Sequence, residues 1–351
     1  MKLTIILTLK DRTPFTYRWM RYMNDMRCPY KILIADGGED STIEQHLLTH
    51  ENYPHLDYEY TRYQYDETIE DYFIKLENVI SRVESEYILL ADNDDFYLLD
   101  RIPDILAFLD THKSYVGARG KIVDLTLYDR AGVPSDLTLD KLYLAVANEV
   151  PSIENACPFE RVEALCTGMS TYDYYANWYC IYRSAPFQQV WKALVTLPIK
   201  EVIVIEVLYD VLMALKGKIQ IMKFPFYIRQ SGTSMCGGTL AVGNEFLERC
   251  IVNNALSEFG VAVEQFAGIQ KREEGDRLLR AIAAWLEIFV VNIYRVRVRK
   301  GVMFRLWQKI KQVPVIGWWM VQIYYRMRHL FTPMQQRRLI RLKSIEPYIL
   351  S

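Results

Sequence analysis

Apolar positions in the first hundred residues form short runs of strand length, which alternate with stretches whose apolar residues recur at helical spacing. The predicted strands are Leu3–Leu9, Lys31–Ala35, Asp57–Thr61 and Tyr87–Ala91. The predicted helices are Pro14–Asp25 with Thr13 as N-cap, Ser41–Thr49 capped by Ser41 or Thr42, and Glu67–Val83. Short apolar strands that alternate with helices predict an α/β protein with a doubly wound, mostly parallel sheet.

The middle of the chain gives a weaker pattern. Further predicted strands are Lys121–Leu127, Trp178–Tyr182 and Ile219–Ile228, and Pro225 inside the last one favours an edge position. Residues 200–215 are typical of a helix, with Gly217 as its C-cap. Residues 243–298 read as a run of helices, so we expect a helical C-terminal extension to the sheet.

Composition narrows the class of protein. The chain has 351 residues, of which 51% are hydrophobic and 24% are charged, which is too apolar for a disordered chain and ordinary for a globular one. The six cysteines lack Cys-x-x-Cys spacing, which argues against zinc and favours reduced thiols in a cytosolic protein. No run approaches the roughly 20 apolar residues that a membrane span needs.

Charge is distributed unevenly along the chain. From residue 295 onward there are thirteen Lys or Arg and one acid, a net charge of +12, whereas the rest of the chain carries -13. The basic residues alternate with apolar and aromatic runs, as in a helix that lies on a membrane surface. Two alternatives stay open: the aromatic residues pack on the body of the protein, or the segment binds nucleic acid, which is the least favoured interpretation.

Acidic residues follow two of the predicted strands. Asp92, Asp94 and Asp95 lie directly after the fourth strand, and Asp36 follows the second. Ligands of doubly wound sheets bind at the carboxyl ends of strands, and Mg²⁺ is held by one or two carboxylates together with substrate phosphates. The pattern therefore predicts a site for a metal ion and a diphosphate. The alternative is a solvated acidic turn, or a helix cap supplied by Asp95 or Asp100.

The stretch "YILLADNDDFYL" resembles the metal-binding strand of GT-A fold glycosyltransferases, particularly the large inverting family 2. Three further stretches resemble that family in the same order: "TIILTLKDRTPFTYRWM", "ILIADGGEDS" and "KLENVISRVESEYILLADND". The segment "LKDRTPF" looks most like a bacterial subgroup of GT-A proteins. The resemblance covers residues 1–100 well and residues 200–230 loosely.

The resemblance implies roles for individual residues. Asp36 would hydrogen-bond the nucleotide base, or else only close its turn. Asp92 and Asp94 would flank the sugar and a Mg²⁺ or Mn²⁺ ion, with Asp94 the more direct ligand and Asp95 a second ligand or a sugar partner. Other donor-binding candidates are Thr8, Lys10 and Arg12 near the nucleotide or phosphates, Asn78 on the preceding helix, and Arg229, whose forked donors suit a diphosphate.

An inverting transfer needs a general base that takes the proton of the acceptor hydroxyl. The family places an aspartate at the start of a late helix, and here that helix offers Glu206, preceded by Ile205 where the family has a Glu-Asp pair. The apolar neighbours of Glu206 would raise its pKa toward a useful value. Asp210, one turn further along, and Glu201 are the other candidates.

Aromatic residues are dense around "YDYYANWYCIY". Trp178, Tyr179 and Tyr182 could stack on a sugar, but aromatic strands more often belong to a core, and we favour the core for these three residues.

Together these observations predict a GT-A nucleotide-sugar-binding and catalytic domain over residues 1–240 and a helical, basic and aromatic region over residues 241–351. The predicted function is transfer of a sugar from a nucleotide-sugar donor to a glycan or lipid-linked acceptor, in surface polysaccharide or glycoconjugate synthesis at the inner face of the cell membrane. Two alternatives are a sugar nucleotidyltransferase, opposed by the lack of a Gly-rich phosphate loop, and a degenerate GT-A domain that docks partners at a membrane.

A flotation experiment tests the predicted membrane contact of residues 300–351. Each surface Lys or Arg is attracted to anionic lipid by ~1 kcal/mol, so the full chain should float with anionic liposomes. A chain that ends at residue 299 should stay at the bottom of the gradient, and neutral liposomes should retain little of either protein. Equal flotation of the two chains with anionic liposomes would contradict the prediction.

Overall fold

A computed structural model describes residues 2–128, 141–146, 151–171, 177–197 and 202–231, with short pieces at 263, 275–276, 280 and 345–349. Most of the predicted C-terminal region, including residues 300–344, and the candidate base Glu201 lie outside the described residues. Within the described residues, no helix has the length and hydropathy needed to cross a membrane.

The described strands form a single sheet. Their bounds are β1 Leu3–Leu9, β2 Lys31–Asp36, β3 Tyr58–Arg62, β4 Tyr87–Asp92, β5 Phe96–Tyr97, β6 Tyr115–Tyr128, β7 Lys141–Val146, β8 Ile181–Arg183 and β9 Lys218–Ser231. The spatial order is β3-β2-β1-β4-β8-β6-β9-β5, and β7 pairs with β6. The strands β3, β2, β1 and β4 are all parallel, whereas β8 is antiparallel to both β4 and β6.

Helices cover both faces of this sheet. They are α1 Thr13–Asp25, α2 Ser41–Leu48, α3 Ile69–Ser81, α4 Ile102–Thr111, α5 Pro158–Thr171, α6 Ser184–Leu194 and α7 Val202–Lys216. Apolar residues of α1, α2 and α4 form one core, and those of α3, α5, α6 and α7 form the other. The predicted doubly wound α/β architecture is therefore confirmed.

The helix caps differ from the prediction in two places. Thr13 lies inside α1, whose N-cap is Arg12, and the Thr13 hydroxyl donates to the carboxylate of Asp40. Asp40, and not Ser41 or Thr42, caps α2: its side chain accepts a hydrogen bond from Thr42 N. The Asp40 carboxylate thus caps α2 and also binds the hydroxyl of Thr13, the first residue of α1.

Two strand predictions also change. Residues 178–182 do not form one strand, because Asn177–Tyr179 makes a 3-10 turn before β8 begins. The strand β9 is not an edge strand, since it lies between β6 and β5. Pro225 is accommodated opposite Lys121, where the ladder between β6 and β9 shifts register, so the missing N–H falls at an irregularity.

The register of the parallel strands determines which residues meet at the carboxyl edge of the sheet. Thr8 of β1 is paired with Asp92 of β4, and Leu9 is paired with Asp36 of β2. Both acidic strand ends therefore lie beside the turn that leads from β1 into α1.

A buried ion pair lies beneath this edge. Lys75 of α3 donates to Asp66 and, at 3.0 Å, to the carbonyl oxygen of Leu9, and the side chains of Lys75 and Asp66 are each 2% exposed. Burial raises the pKa of Asp66 and lowers the pKa of Lys75, so each group depends on the other for its charge.

Replacing Lys75 by Met should therefore destabilise the protein at pH 7 by about 3 kcal/mol, because it leaves the Asp66 carboxylate buried without its partner. Urea unfolding measures the change. The matched control is Ile74→Ala on the same helix, where the side chain is 55% exposed and the cost should stay within about 0.5 kcal/mol. Equal stability of the two variants would contradict the prediction.

Candidate functional site

The turn after β4 holds two carboxylates close together. Asp92 is half-buried and its Oδ2 accepts a hydrogen bond of 2.6 Å from the hydroxyl of Tyr179, while Asp94 is 7% exposed. Burial, together with the charge of Asp94, raises the pKa of Asp92 to about 6, against the opposing charges of Arg229 and Arg12. Asp92 and Asp94 are thus close enough for the charge of one to act on the other.

Arg12, the N-cap of α1, brings a positive charge to these two carboxylates. Its Nη1 donates to Asp94 Oδ2 at 2.8 Å. Neighbouring Lys10 donates to the carbonyl oxygen of Asp66 and lies 4.8 Å from the centre of the Tyr65 ring. The structure therefore brings Arg12 together with the predicted metal-binding acids, whereas Lys10 lies on the side of the β3–α3 connection.

Asp95 is bound to β9. Its Oδ1 accepts from Gln230 N at 2.6 Å and its Oδ2 accepts from the Tyr227 hydroxyl. Burial, added to the charges of Asp94 and Asp92, raises the pKa of Asp95 well above its usual range. Because both carboxylate oxygens already accept hydrogen bonds from the protein, this arrangement favours an anchor for β9 over the expected metal ligand or sugar partner.

Arg18, which the sequence analysis did not single out, joins the acidic turn to the end of β9. Its Nη2 donates at 2.8 Å to the carbonyl oxygen of Asp94 and at 2.8 Å to Gln230 Oε1. Burial lowers the pKa of Arg18 to about 10, although Asp94 and Asp95 oppose that change. The sequence signal that could have marked it is an arginine at an apolar-face position of the predicted helix, next to Phe15, Trp19 and Tyr22.

Asp36 is fully buried and closes the turn after β2. Its Oδ1 accepts from Gly38 N at 2.8 Å, and its Oδ2 accepts from the Tyr60 hydroxyl at 2.6 Å and from Arg62 Nη1 at 2.8 Å. A Cβ on Gly38 would lie 2.5 Å from Asp11 N, so glycine lets this turn approach the β1–α1 turn. The contacts match the alternative in which Asp36 closes its turn.

Thr8 and Asn78 lie in different settings. Thr8 is half-buried at the carboxyl edge, with its Oγ1 3.5 Å from the Tyr72 hydroxyl. Asn78 is exposed and accepts a hydrogen bond of 2.8 Å from the Tyr63 hydroxyl. Tyr63 is not among the candidate residues, so this contact does not connect Asn78 with them.

Glu206 on α7 lies within electrostatic reach of the acidic turn. It is half-buried, and burial raises its pKa from 4.5 to about 7, with Asp92 adding to the shift and Arg229 opposing it. Arg229 also lowers the pKa of Asp92, so its charge acts on both acids. The structure therefore groups Glu206, Asp92 and Arg229, which come from α7, β4 and β9.

Asp210 is fully buried, and its Oδ1 accepts a hydrogen bond of 2.9 Å from Asn177 N. A general base must come within hydrogen-bond distance of the acceptor hydroxyl, which a carboxylate without exposed surface does not do. The hydrogen bond to Asp210 holds the 3-10 turn against α7, which favours Glu206 over Asp210 as the base.

The aromatic segment divides between core and site. Trp178 and Tyr182 are core residues, as expected. Tyr179 was assigned to the core with them, yet its hydroxyl donates to Asp92 and its ring stacks on that of Tyr227, with 3.9 Å between ring centres. Tyr179 therefore connects Asp92 at the end of β4 with Tyr227 of β9, which in turn donates to Asp95.

The described residues offer a divalent metal ion only part of a complete set of ligands. Among the described residues, no group of three or more His, Cys, Asp and Glu side chains is arranged to hold an ion. Asp92 and Asp94 offer two carboxylates, and Mg²⁺ or Mn²⁺ commonly takes one or two carboxylates with its other positions filled by water and substrate phosphates.

Comparison with known proteins identifies the fold. No protein-family model and no curated protein matches the sequence. Residues 1–349 of TarS from S. aureus, in a complex with UDP, match 90% of this chain and 81% of that chain at 15% identity and a TM-score of 0.50. A longer TarS structure matches 94% of this chain and 53% of that chain at 14% identity and a TM-score of 0.51. The likeness is one of fold, a mixed α/β sheet with flanking helices of the GT-A type.

The raised pKa of Glu206 predicts a pH-dependent stability difference between the wild type and Glu206→Gln. Below about pH 4.5 the Glu206 carboxyl is protonated in both the folded and the unfolded chain, so its raised pKa does not lower the free energy of unfolding. As pH rises to about 7 the folded state loses stability, by about 3 kcal/mol in all. The advantage of Glu206→Gln in the free energy of unfolding should therefore be about 2 kcal/mol greater at pH 8 than at pH 5.

Urea unfolding at the two pH values measures this difference. The control is Glu84→Gln, which removes the same charge from an exposed position. If Glu206→Gln changes stability equally at both pH values, the raised pKa of Glu206 is wrong.

Proposed function

We propose that this protein is a glycosyltransferase that moves a sugar from a nucleotide-sugar donor to a glycan or lipid-linked acceptor with inversion at the anomeric carbon. The observation that carries the proposal is one arrangement: Asp92 lies at the carboxyl end of β4, close to Asp94 and within electrostatic reach of Glu206 and Arg229. The reaction needs two carboxylates that bind a metal–diphosphate complex. It also needs one carboxyl group of raised pKa as the general base and one arginine for the diphosphate.

The donor nucleotide binds at the carboxyl edge of the sheet, over the turns that follow β1 and β2. The side chain of Arg12 and the N-terminus of α1 favour negative charge there. The TarS complex contains UDP, which makes a uridine diphosphate sugar the first donor to test.

Asp92 and Asp94 would hold Mg²⁺ or Mn²⁺, which when bound would supply positive charge for the leaving diphosphate. Arg229 lies beside Asp92, and its guanidinium provides forked donors to the same diphosphate oxygens. Tyr179 keeps the Asp92 carboxylate oriented through its hydrogen bond.

Glu206 is the general base. Its carboxylate accepts the proton of the acceptor hydroxyl while the hydroxyl oxygen bonds to the anomeric carbon and the bond from that carbon to the diphosphate breaks. A pKa of about 7 suits this role, because about half of the molecules hold the base ionised near neutral pH while it keeps enough basicity to take a proton.

The basic C-terminal segment supports an acceptor at a membrane. Thirteen Lys or Arg among its aromatic residues would carry the enzyme to anionic lipid, where a lipid-linked acceptor resides. We therefore propose that the reaction takes place at the inner face of the cell membrane, in the synthesis of surface glycans.

A melting-temperature panel tests the proposal, with UDP, GDP, dTDP and CMP sugars, each with Mn²⁺ or with EDTA. A ligand at 100 times its Kd stabilises a protein by ~2.7 kcal/mol, a shift of several degrees. We expect one nucleotide to raise the melting temperature when Mn²⁺ is present, in the wild type and in the control Asp104→Asn, and we expect Asp94→Asn to lose that shift. Asp104 is an exposed acid on α4.

The other results of the panel are informative as well. A shift that persists in EDTA and in Asp94→Asn would retain donor binding and remove the metal from the proposal. No shift with any donor, in protein that melts cooperatively, would overturn the proposed function in favour of a docking domain.

A further inference from the structure

The proposed metal ligand Asp94 is already paired with a cation of the chain. Arg12 Nη1 lies 2.8 Å from Asp94 Oδ2, and the two side chains are 22% and 10% exposed. A divalent ion on Asp94 would carry its positive charge to the same carboxylate. The guanidinium of Arg12 and the divalent ion would therefore compete for the Asp94 carboxylate.

The guanidinium of Arg12 uses only part of its hydrogen-bonding capacity. Nη2 is buried and donates to no described group, and the ring of Phe15 lies 4.2 Å from the guanidinium carbon. Carboxylates and phosphates commonly bind arginine through two parallel hydrogen bonds. A diphosphate would therefore satisfy Arg12 better than its single hydrogen bond to Asp94 does.

The backbone that carries Arg12 is in an unusual conformation. Asp11 and Arg12 have φ angles of 58° and 59°, in the left-handed region that residues other than glycine rarely adopt. One tertiary and one local hydrogen bond hold it there: Asp11 Oδ1 accepts from Glu39 N at 2.7 Å, and the Arg12 carbonyl accepts from Phe15 N at 3.0 Å in the first turn of α1. This geometry fixes the root of the Arg12 side chain between the β2 turn and Asp94, so that only the side chain has to move.

We propose that Arg12 is an exchangeable counter-ion, which neutralises Asp94 while the donor is absent and moves to the donor's diphosphate when the donor binds, leaving Asp94 to the divalent ion. This inference rests on the proposed function. It makes the binding of metal and donor cooperative, because the donor removes the competitor of the metal. By linkage, the metal raises the affinity for the donor by the same factor.

Manganese titration of the full chain without nucleotide tests the exchange, with the free ion followed by its electron paramagnetic resonance signal. The variants are Arg12→Gly, which suits the left-handed backbone, and Arg12→Met, which keeps an unbranched stem against Phe15. Both should bind Mn²⁺ about tenfold more tightly than the wild type, a coupling of ordinary size. Melting temperatures establish that the variants are folded.

The matched control is Arg21→Gln, which removes one positive charge from the same helix, nine residues or about 13 Å along its axis from Arg12. Its Mn²⁺ affinity should equal that of the wild type. Adding the nucleotide selected by the donor panel should tighten Mn²⁺ binding by the wild type strongly, and by the two Arg12 variants much less.

Two results would overturn the exchange and leave the proposed function standing. One is an unchanged Mn²⁺ affinity in both Arg12 variants, and the other is an equal gain in Arg21→Gln, which would reflect net charge alone. A wild type that binds no Mn²⁺ with or without nucleotide would overturn both the exchange and the proposed metal. Donor binding in EDTA then decides separately whether a glycosyltransferase remains.

Discussion

Charge compensation at the end of β4 is the constraint on which the rest of this site depends. Asp92, Asp94 and Asp95 lie within four residues, and burial makes their mutual repulsion strong. Arg12 and Arg18 of α1 are bonded to the acidic turn. Contacts from distant parts of the sequence are therefore needed for the turn to exist, and those contacts also assemble the site.

The hydrogen bonds that stabilise the buried Asp95 carboxylate also hold two strands together. Its carboxylate accepts from Gln230 N and from the Tyr227 hydroxyl, so the end of β9 is fixed against the β4 turn. Arg229 is the neighbour of Gln230 and is positioned by the same bonds. Tyr179 stacks on Tyr227 and donates to Asp92, which joins the two acids through a pair of rings. The positions of Asp92 and Arg229, the proposed substrate-binding groups, thus depend on Asp95, Tyr227 and Tyr179.

Several of these features cost stability. Glu206 is held with its pKa near 7 by burial, and the left-handed turn at Asp11 and Arg12 is sparsely populated for such residues. Functional sites commonly contain desolvated acids and strained backbone, because the surrounding structure holds them in place. Here the surrounding structure is the parallel half of the sheet, with β1 between β2 and β4.

The alternation of strands and helices and the acidic ends of β2 and β4 could be predicted from the sequence, because apolar runs and polar breaks are local properties of the chain. The resemblance to GT-A glycosyltransferases also predicted that Arg12 lies near the nucleotide or its phosphates. Which carboxyl groups are buried depends on the tertiary fold: Asp36, Asp95 and Asp210 are buried and bonded to the protein, whereas Glu206 is half-buried. The donors to these carboxylates include Arg62, Tyr227 and Asn177, each at least 26 residues away, and no local pattern carries that information.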